Sequence, residues 1–202
     1  LFTVDEETGL TGAFRLQDGC LNGKQLINLD SEDDGQVFIG CAGGIDTLAK
    51  MHYEPIPSVE GEEKMQLYSL RIKVGGLMGG HSGDDINKGR GNANKILVRF
   101  LYQVMSTINC QLSTISGGNL RNAIAREAEA VIAIPMAYKE DIRVMLNHYI
   151  ATIEAEIGDV EKDFFMTLET TDMPELFIPA DKAKVLIQAL YACPHGMTAM
   201  SK

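Results

Sequence analysis

The sequence predicts an α+β fold built on an antiparallel sheet with two helices on one of its faces. Between residues 65 and 172, segments in which apolar and polar residues alternate, as in half-buried strands, are interspersed with two segments of helical period. These segments follow one another in the order βαββαβ. Hydrophobic residues make up 45% of the chain, which is enough to form a real core.

Periodicity defines the first half of this pattern. We predict a strand at 68–74, where Tyr, Leu, Ile and Val alternate with Ser, Arg and Lys. A helix is predicted at 93–105, because the apolar residues there recur at a spacing that places them on one helical face. A second strand is predicted at 110–116, and Gly117-Gly118 would end it.

The second half of the pattern completes the sheet. We predict a strand, a helix and a last strand at 128–134, 142–157 and 164–168. Pro135 would end the first of these strands, and Gly158 is expected as the C-terminal cap of the helix. A further helix is predicted at 181–191, stopped by Pro194. The order βαββαβ is the ferredoxin-like plan, which would leave the polar face of the sheet free for a partner.

Residues 1–44 have a different texture and are predicted to belong to a separate, α/β domain. They are rich in glycine and acidic residues with short apolar pieces, which is typical of loops at strand ends. The chain opens with the apolar Leu1-Phe2-Thr3, which we interpret as the middle of a strand, so we expect the chain to be a fragment. The second domain is predicted at 45–202, with its core at about 65–172.

Charge and composition exclude several function classes. The 202 residues include 18 Lys and Arg against 28 Asp and Glu, a formal net charge of −10. This is the wrong sign for a groove that follows nucleic-acid phosphates. No apolar run approaches the ~18 residues of a membrane span. The cysteines, at positions 20, 41, 110 and 193, form no CxxC pair, so we expect reduced, mostly buried thiols in a cytoplasmic protein.

An acidic cluster is the first candidate for chemistry. Three consecutive carboxylates, Asp5, Glu6 and Glu7, are followed in the sequence by Asp30. A divalent metal would neutralise their mutual repulsion, and a carboxylate beside it could serve as a general base. A solvated acidic loop is the alternative interpretation.

Two glycine-containing segments are the other candidates. In residues 75–83, glycines let the backbone approach another group closely, and His81 lies in what we interpret as a turn; functional and structural roles for it are equally favoured. No Gly-Lys-Ser/Thr follows, which excludes a phosphate loop. Residues 116–124 form either a hairpin turn or a set of amides with the guanidinium of Arg121, suited to bind a carboxylate.

Together these clusters are more specific than any one of them. The motifs occur along nearly the whole chain in the order Thr-x-Asp-Glu-Glu-x-Gly, Asn-Leu-Asp-Ser-Glu, Gly-Cys-Ala-Gly-Gly, Gly-Gly-His-Ser-Gly-x-Asp-Ile, Gly-Asn-Ala-Asn-Lys and Arg-Asn-Ala-Ile-x-Arg-Glu-Ala. This set closely resembles the aminoacyl-histidine dipeptidases (Xaa-His dipeptidases, carnosinase-like enzymes) of the dizinc metallopeptidase clan. The resemblance implies a ferredoxin-like lid attached to part of an α/β catalytic domain.

The resemblance also implies a role for each acidic candidate and for the histidine. Glu6 would be the general base that takes a proton from the zinc-bound water. Glu7 would be a ligand of one zinc ion, and Asp30 a ligand of the other. His81 would help to polarise the scissile carbonyl of the substrate.

Substrate binding is implied for Asn119, Arg121 and Asn122, which would lie in the lid segment that approaches the substrate carboxylate. The family has Pro where this chain has Ala125, a departure that would affect only a turn. The implied upstream His-x-Asp and downstream histidine ligand are missing, since no Asp lies two residues after His52, His81, His148 or His195. We therefore expect the chain by itself to be inactive.

One function is preferred and two alternatives stay open. The preferred function is zinc-dependent hydrolysis of dipeptides with a C-terminal histidine, in a homodimer formed through the lid domain. The first alternative is a related amidohydrolase that acts on N-acyl amino acids with the same metal motif. The second is a non-catalytic ferredoxin-like module for dimerisation or ligand binding, which would leave the carboxylates at 5–7 and Asp30 unexplained.

Overall fold

The computed structural model describes residues 1–29, 34–40, 43–59, 61 and 66–199, and divides the chain into two compact units, Leu1–Leu48 and Ala49–Lys202. In chain order its elements are α1 (Glu6–Gly9), α2 (Thr11–Phe14), β1 (Ile56–Pro57), β2 (Leu67–Gly75), β3 (Gly80–His81), α3 (Ala93–Thr107), β4 (Gln111–Gly117), β5 (Ala123–Ile124), β6 (Ala128–Pro135), a 3₁₀ turn (Met136–Tyr138), α4 (Lys139–Ile157), β7 (Phe165–Thr170), β8 (Leu176–Phe177) and α5 (Ala180–Ala192). None of the helices in these ranges has the length and apolar character needed to cross a membrane.

A four-stranded antiparallel sheet forms the centre of the second unit. Its strand order is β4–β6–β2–β7, so that β2 and β6 are the central strands. The register places Leu70 of β2 opposite Ile132 of β6 on one side and opposite Thr170 of β7 on the other. This order, with α3 and α4 in the two crossovers, confirms the predicted ferredoxin-like fold.

The core lies between one face of this sheet and the helices that cover it. α3 begins after Asn92, whose side-chain oxygen accepts the N–H of Asn94 at 2.9 Å as an N-cap. Tyr149 of α4 packs its ring against that of Phe100, with centroids 5.3 Å apart. The inward-facing residues of α3 and of the central strands are almost fully buried: Leu97, Phe100, Leu101, Val104, Leu70, Ile72, Ile132 and Ile134.

The opposite face of the sheet carries charged pairs. Because side chains alternate along a strand, Arg71 and Lys73 of β2 lie on the face away from the core. Arg71 is 3.7 Å from Glu129 of β6, and Lys73 is 3.0 Å from Glu169 of β7. Such half-exposed pairs contribute little to stability. They keep this face polar, as the alternation in the sequence predicts.

β1 and β8 form a separate two-stranded ribbon. Ile56 pairs with Phe177, and the N–H of Ser58 donates to the carbonyl of Glu175 at 2.8 Å. Phe177 is almost completely buried. The segment that leads towards the four-stranded sheet and the segment that leaves it therefore lie side by side.

The predicted last helix is confirmed as α5, and α3 caps its end. Lys95 of α3 donates through Nζ to three carbonyl oxygens at the C-terminus of α5, those of Leu190, Tyr191 and Cys193, at 3.0, 2.7 and 2.6 Å. These carbonyls have no partner within the helix, and a cation also complements the negative end of the helix dipole. The motif Gly-Asn-Ala-Asn-Lys thus supplies both the N-cap of α3 and the clamp on α5.

Gly158 is the C-terminal cap of α4, as predicted, and it has a right-handed backbone conformation. Its φ is −61°, so it does not adopt the left-handed conformation in which glycine often caps a helix. Its N–H donates to the carbonyl of Glu154 at 2.9 Å, and the N–H of Glu161 donates to that of Ile157 at 2.8 Å. The chain leaves α4 through a further helical turn, because these local bonds still satisfy the carbonyls.

The first unit departs from expectation. Leu1–Thr3 are not in a strand, and the described part of this unit holds only the short helices α1 and α2. Its hydrogen bonds are local, such as that from the N–H of Leu10 to the carbonyl of Asp5 at 2.7 Å. A strand needs a neighbouring strand for its backbone groups, and the residues described here supply none. The carboxylates Asp5 and Glu6 therefore lie at the start of a helix and not at a strand end.

We expect Ile132→Ala to destabilise the second unit far more than Val131→Ala. Ile132 is completely buried beneath the helices, whereas the neighbouring Val131 is half-buried on the opposite face. The cavity left at residue 132 should lower the free energy of unfolding by about 2–5 kcal/mol, and the change at residue 131 by about 1 kcal/mol or less. Urea unfolding of both variants measures this difference. Equal losses would contradict a core on one face only.

Candidate active site

A concave pocket of about 990 Å³ lies in the second unit, where the ends of β2, β4 and β6 meet the segment around β3 and β5. This volume is in the range of small-molecule sites. The pocket brings together candidates from two of the predicted clusters, since His81, Asn119 and Asn122 all line it. Its other polar or charged lining residues are Lys73, Ser116, Arg126, Glu127 and Glu129.

His81 lies in a short ribbon, not in the free turn that the sequence indicates. β3 pairs with β5, so that His81 is opposite Ala123. The N–H of Ser82 donates to the carbonyl of Asn122 at 2.8 Å and extends the pairing. This ribbon fixes the backbone of His81 next to the segment that carries Asn119 and Asn122.

Backbone amides hold the imidazole ring of His81. Its Nδ1 accepts the N–H of Gly83 and that of Asp84, each at 3.2 Å. Because Nδ1 uses its lone pair in this way, the neutral ring carries its proton on Nε2. The side chain is 52% exposed. Nε2 is thus a hydrogen-bond donor that a ligand can reach.

Asp85 ties the segment around His81 together. One carboxylate oxygen accepts the backbone N–H of His81 at 2.7 Å, and the other is 2.7 Å from Lys88 Nζ and 3.0 Å from Arg90. The hydrogen bond from Lys88, followed by that from the His81 backbone, holds the pKa of Asp85 below its ordinary value. Asp85 therefore stays charged, and these contacts persist, down to pH values at which an ordinary carboxyl is protonated.

Gly80 is required by this arrangement. Its φ is +135°, and a Cβ atom there would overlap the side chains of Arg90 and Asp85. Only glycine allows the backbone to pass so close to this ion pair. The glycines of the motif thus serve the packing of charged groups around His81.

The glycine-containing segment 116–124 contributes only in part to the pocket. Asn119 and Asn122 line it, but Arg121 is exposed and is not among its lining residues. The arginine that does line the pocket is Arg126, and its aliphatic Cγ and Cδ atoms lie beside Gly79. Reasoning from the sequence missed Arg126. The motif Arg-Asn-Ala-Ile-x-Arg contains both residues, and the sequence alone does not show which of them lines the pocket.

The acidic cluster is described in part. Glu6 is exposed at the start of α1; the side chain of Glu7 and all of Asp30 lie outside the described residues. Within the described ranges, no three His, Cys, Asp or Glu side chains are placed so that they could hold a metal ion. A catalytic zinc ion takes about three protein ligands. The described residues alone therefore do not form the zinc site that the motifs imply.

Cysteine chemistry does not explain the pocket. Cys20, Cys110 and Cys193 are free thiols, and Cys41 lies outside the described residues. Burial raises the pKa of the Cys110 thiol to about 12, so that it is not a nucleophile near neutral pH. Cys20 and Cys193 are exposed. The expectation that the thiols are mostly buried is thus wrong for these two.

The chain is similar to known peptidases. Residues 72–161 match the family model described as a peptidase dimerisation domain. Over 197 residues the chain is 37% identical to the cytosol non-specific dipeptidase of Escherichia coli (strain K12). This alignment covers 98% of this chain and 40% of that protein. It superposes on the crystal structure of aminoacylhistidine dipeptidase from Vibrio alginolyticus with a TM-score of 0.77 and 34% identity, over 98% of this chain and 40% of that chain. The chain thus spans about 40% of the length of these relatives.

We expect neutral His81 to be almost entirely in the Nε2–H form. Two backbone N–H groups point at Nδ1, and a proton on that atom would face both of them. The ¹⁵N chemical shifts of the ring at high pH measure the tautomer, with the exposed His148 as the internal control. His148 should show the averaged shifts of an exposed histidine. A protonated Nδ1 in neutral His81 would contradict the described ring geometry.

Proposed function

Because the chain belongs to the family of dipeptidases that carry the peptidase dimerisation domain, we propose that it serves in the hydrolysis of dipeptides with a C-terminal histidine. It would do so as part of a protein with the length of these relatives. A relative with the name aminoacylhistidine dipeptidase supports this specificity. A relative with the name non-specific dipeptidase makes a broader range of dipeptides the second candidate.

The observation that carries this proposal is the meeting of His81 with amide and guanidinium groups in one pocket. A dipeptide presents a scissile carbonyl and, a few ångströms away, a free carboxylate. The Nε2–H of His81 is a hydrogen-bond donor suited to the carbonyl oxygen. Arg126 supplies the cation that a carboxylate prefers, and Asn119 and Asn122 supply amide groups.

In this proposal the pocket stabilises charge during hydrolysis. As water attacks the peptide carbon, negative charge develops on the carbonyl oxygen. His81 donates its Nε2 proton in a hydrogen bond to that oxygen, and Arg126 holds the carboxylate so that the peptide bond is oriented. Arg121 stays a second candidate for the carboxylate, because it lies in the same hairpin.

The remaining parts of the machinery are proposed from the motifs. Glu6 is the proposed general base, which accepts the proton of the attacking water, and Glu7 and Asp30 are the proposed zinc ligands. Glu6 is exposed and thus accessible to water. Since the described residues do not complete a metal site, residues beyond them have to supply further ligands.

We also propose a homodimer and a cytoplasmic location. The match of residues 72–161 to a peptidase dimerisation domain supports the first. The word cytosol in the name of a relative supports the second.

The substrate proposal predicts a clear order of activities in a protein of the relatives' length. β-Alanyl-histidine and alanyl-histidine should be cleaved faster than alanyl-alanine, and N-acetyl-alanine should not be cleaved; chromatography of the products measures all four rates. Equal rates for the three dipeptides would favour the non-specific dipeptidase. Cleavage of the N-acetyl compound alone would favour the amidohydrolase alternative.

Glu6→Ala in the same assay tests the proposed general base, with Glu54→Ala as its matched control. Loss of a general base should lower kcat by more than about 100-fold, while elemental analysis shows the metal content unchanged. Glu54→Ala, a change at another exposed acidic residue, should leave the rate unaltered. Near-normal turnover with Glu6→Ala would contradict the proposed role of Glu6.

Arg126→Ala should remove the preference of the enzyme for a free C-terminal carboxylate. An ionic hydrogen bond of about 1.5–3 kcal/mol corresponds to roughly ten- to a hundredfold in kcat/KM. We expect this loss for the dipeptide but not for its C-terminal amide, and a partial recovery with Arg126→Lys. Arg121→Ala is the matched control and should preserve the preference. The opposite result would assign the carboxylate to Arg121.

A further inference from the structure

The connection between β2 and α3, residues 76–92, is long and carries the histidine of the pocket. We call it the His81 loop. Connections between a strand and a helix usually have about two to six residues, and longer ones are commonly functional. A loop of this length needs contacts that fix it, because each ordered residue costs conformational entropy.

A single buried carboxylate joins the two ends of the His81 loop. Glu161 follows the last turn of α4 and is 2% exposed. Its Oε2 accepts the N–H of Met78, near the start of the loop, at 2.8 Å. Its Oε1 accepts the N–H of Gly91, near the end of the loop, at 2.8 Å. Each carboxylate oxygen thus holds one end.

The two ends are also packed against each other. Leu77 is 5% exposed, and a Cβ atom on Gly91 would contact Leu77 and Ile157 at 2.9 Å. Gly76 has a φ of +73°, and a Cβ atom there would overlap the carbonyl of Asp163. The start and the end of the loop therefore have almost no freedom as long as Glu161 is in place.

From this closed base, hydrogen bonds lead directly to His81. Arg90, next to Gly91, donates to the carbonyl of Gly79 at 2.6 Å and pairs with Asp85. Asp85 in turn accepts the N–H of His81. A shift of the loop base would therefore move the groups that orient His81.

Only a carboxylate fits this position. A buried charge is costly unless it is well hydrogen-bonded, and an apolar residue of the same size would leave two buried N–H groups without an acceptor. Glutamine offers one acceptor oxygen, while its NH₂ group would face the second N–H. The site therefore selects two acceptor oxygens at a fixed separation.

We propose that Glu161 is a positioning residue for His81: by accepting both ends of the His81 loop, it holds the imidazole at the pocket. This rests on the proposed function of His81. Glu161 is far from His81 in the sequence and belongs to none of the motifs. The proposal nevertheless makes it necessary for the hydrogen bond that His81 donates to the substrate carbonyl.

Hydrogen–deuterium exchange in a protein of the relatives' length tests the structural half of the proposal. In Glu161→Gln, peptides that cover residues 76–92 should exchange about tenfold faster or more, because an ionic hydrogen bond is lost. The matched control is Glu156→Gln, which removes a carboxylate of α4 that pairs with Arg99 at 2.7 Å. It should leave exchange in the loop unchanged. If Glu161→Gln does not fold, Glu161→Asp, which keeps the charge but shortens the reach, takes its place.

Kinetics test the catalytic half. Glu161→Gln should lower kcat by about ten- to a hundredfold with little change in KM, since a small displacement of a catalytic group has effects of this size. Combined with His81→Ala it should cause no further loss. Unchanged exchange in the loop, or full kcat in Glu161→Gln while His81→Ala is impaired, would overturn the proposal. If His81→Ala is fully active, the proposed function of His81 fails together with the catalytic half, and the exchange rates still decide whether Glu161 fastens the loop.

Discussion

Burial of one face of the antiparallel sheet under α3 and α4 is the constraint on which the rest of the second unit depends. Side chains alternate along a strand, so placing Leu70, Ile72 and Ile132 beneath the helices fixes the register of the central strands. The same register sets Arg71 and Lys73 opposite their acidic partners on the other face. It also fixes where the strands end, and the pocket is built from those ends.

Beyond the sheet, polar contacts replace apolar burial as the means of holding the chain. The pocket lies at the margin of the core, where Leu77 is buried but most of the residues that surround His81 are glycines or charged. There the carboxylates of Asp85 and Glu161 fasten the loop, and Lys95 fastens the end of α5. Hydrogen bonds of charged groups are directional, so they fix the orientation of the backbone and side-chain groups that they join.

The sequence predicts the elements of the second unit well and its loops less well. Periodicity is set by the core, so the strands and α3 are found within a few residues of their predicted positions. Periodicity carries no signal for the pairing of β3 with β5, nor for the fact that Arg126, and not Arg121, is among the residues that line the pocket. Gly158 ends α4 as the sequence predicts, but the further helical turn that follows it is a feature of local hydrogen bonds that periodicity does not show. Glu161 belongs to no motif, and only its burial reveals it.

The pairing of β1 with β8 affects how the segment between them can change during evolution. Because Ile56 lies opposite Phe177, the stretch between them begins and ends at one place. A stretch with adjoining ends behaves as a cassette: it can be exchanged, enlarged or circularly permuted without separating the segments that flank it. Mutations that retune the pocket can therefore accumulate inside the cassette, while the flanking sequence changes under separate selection.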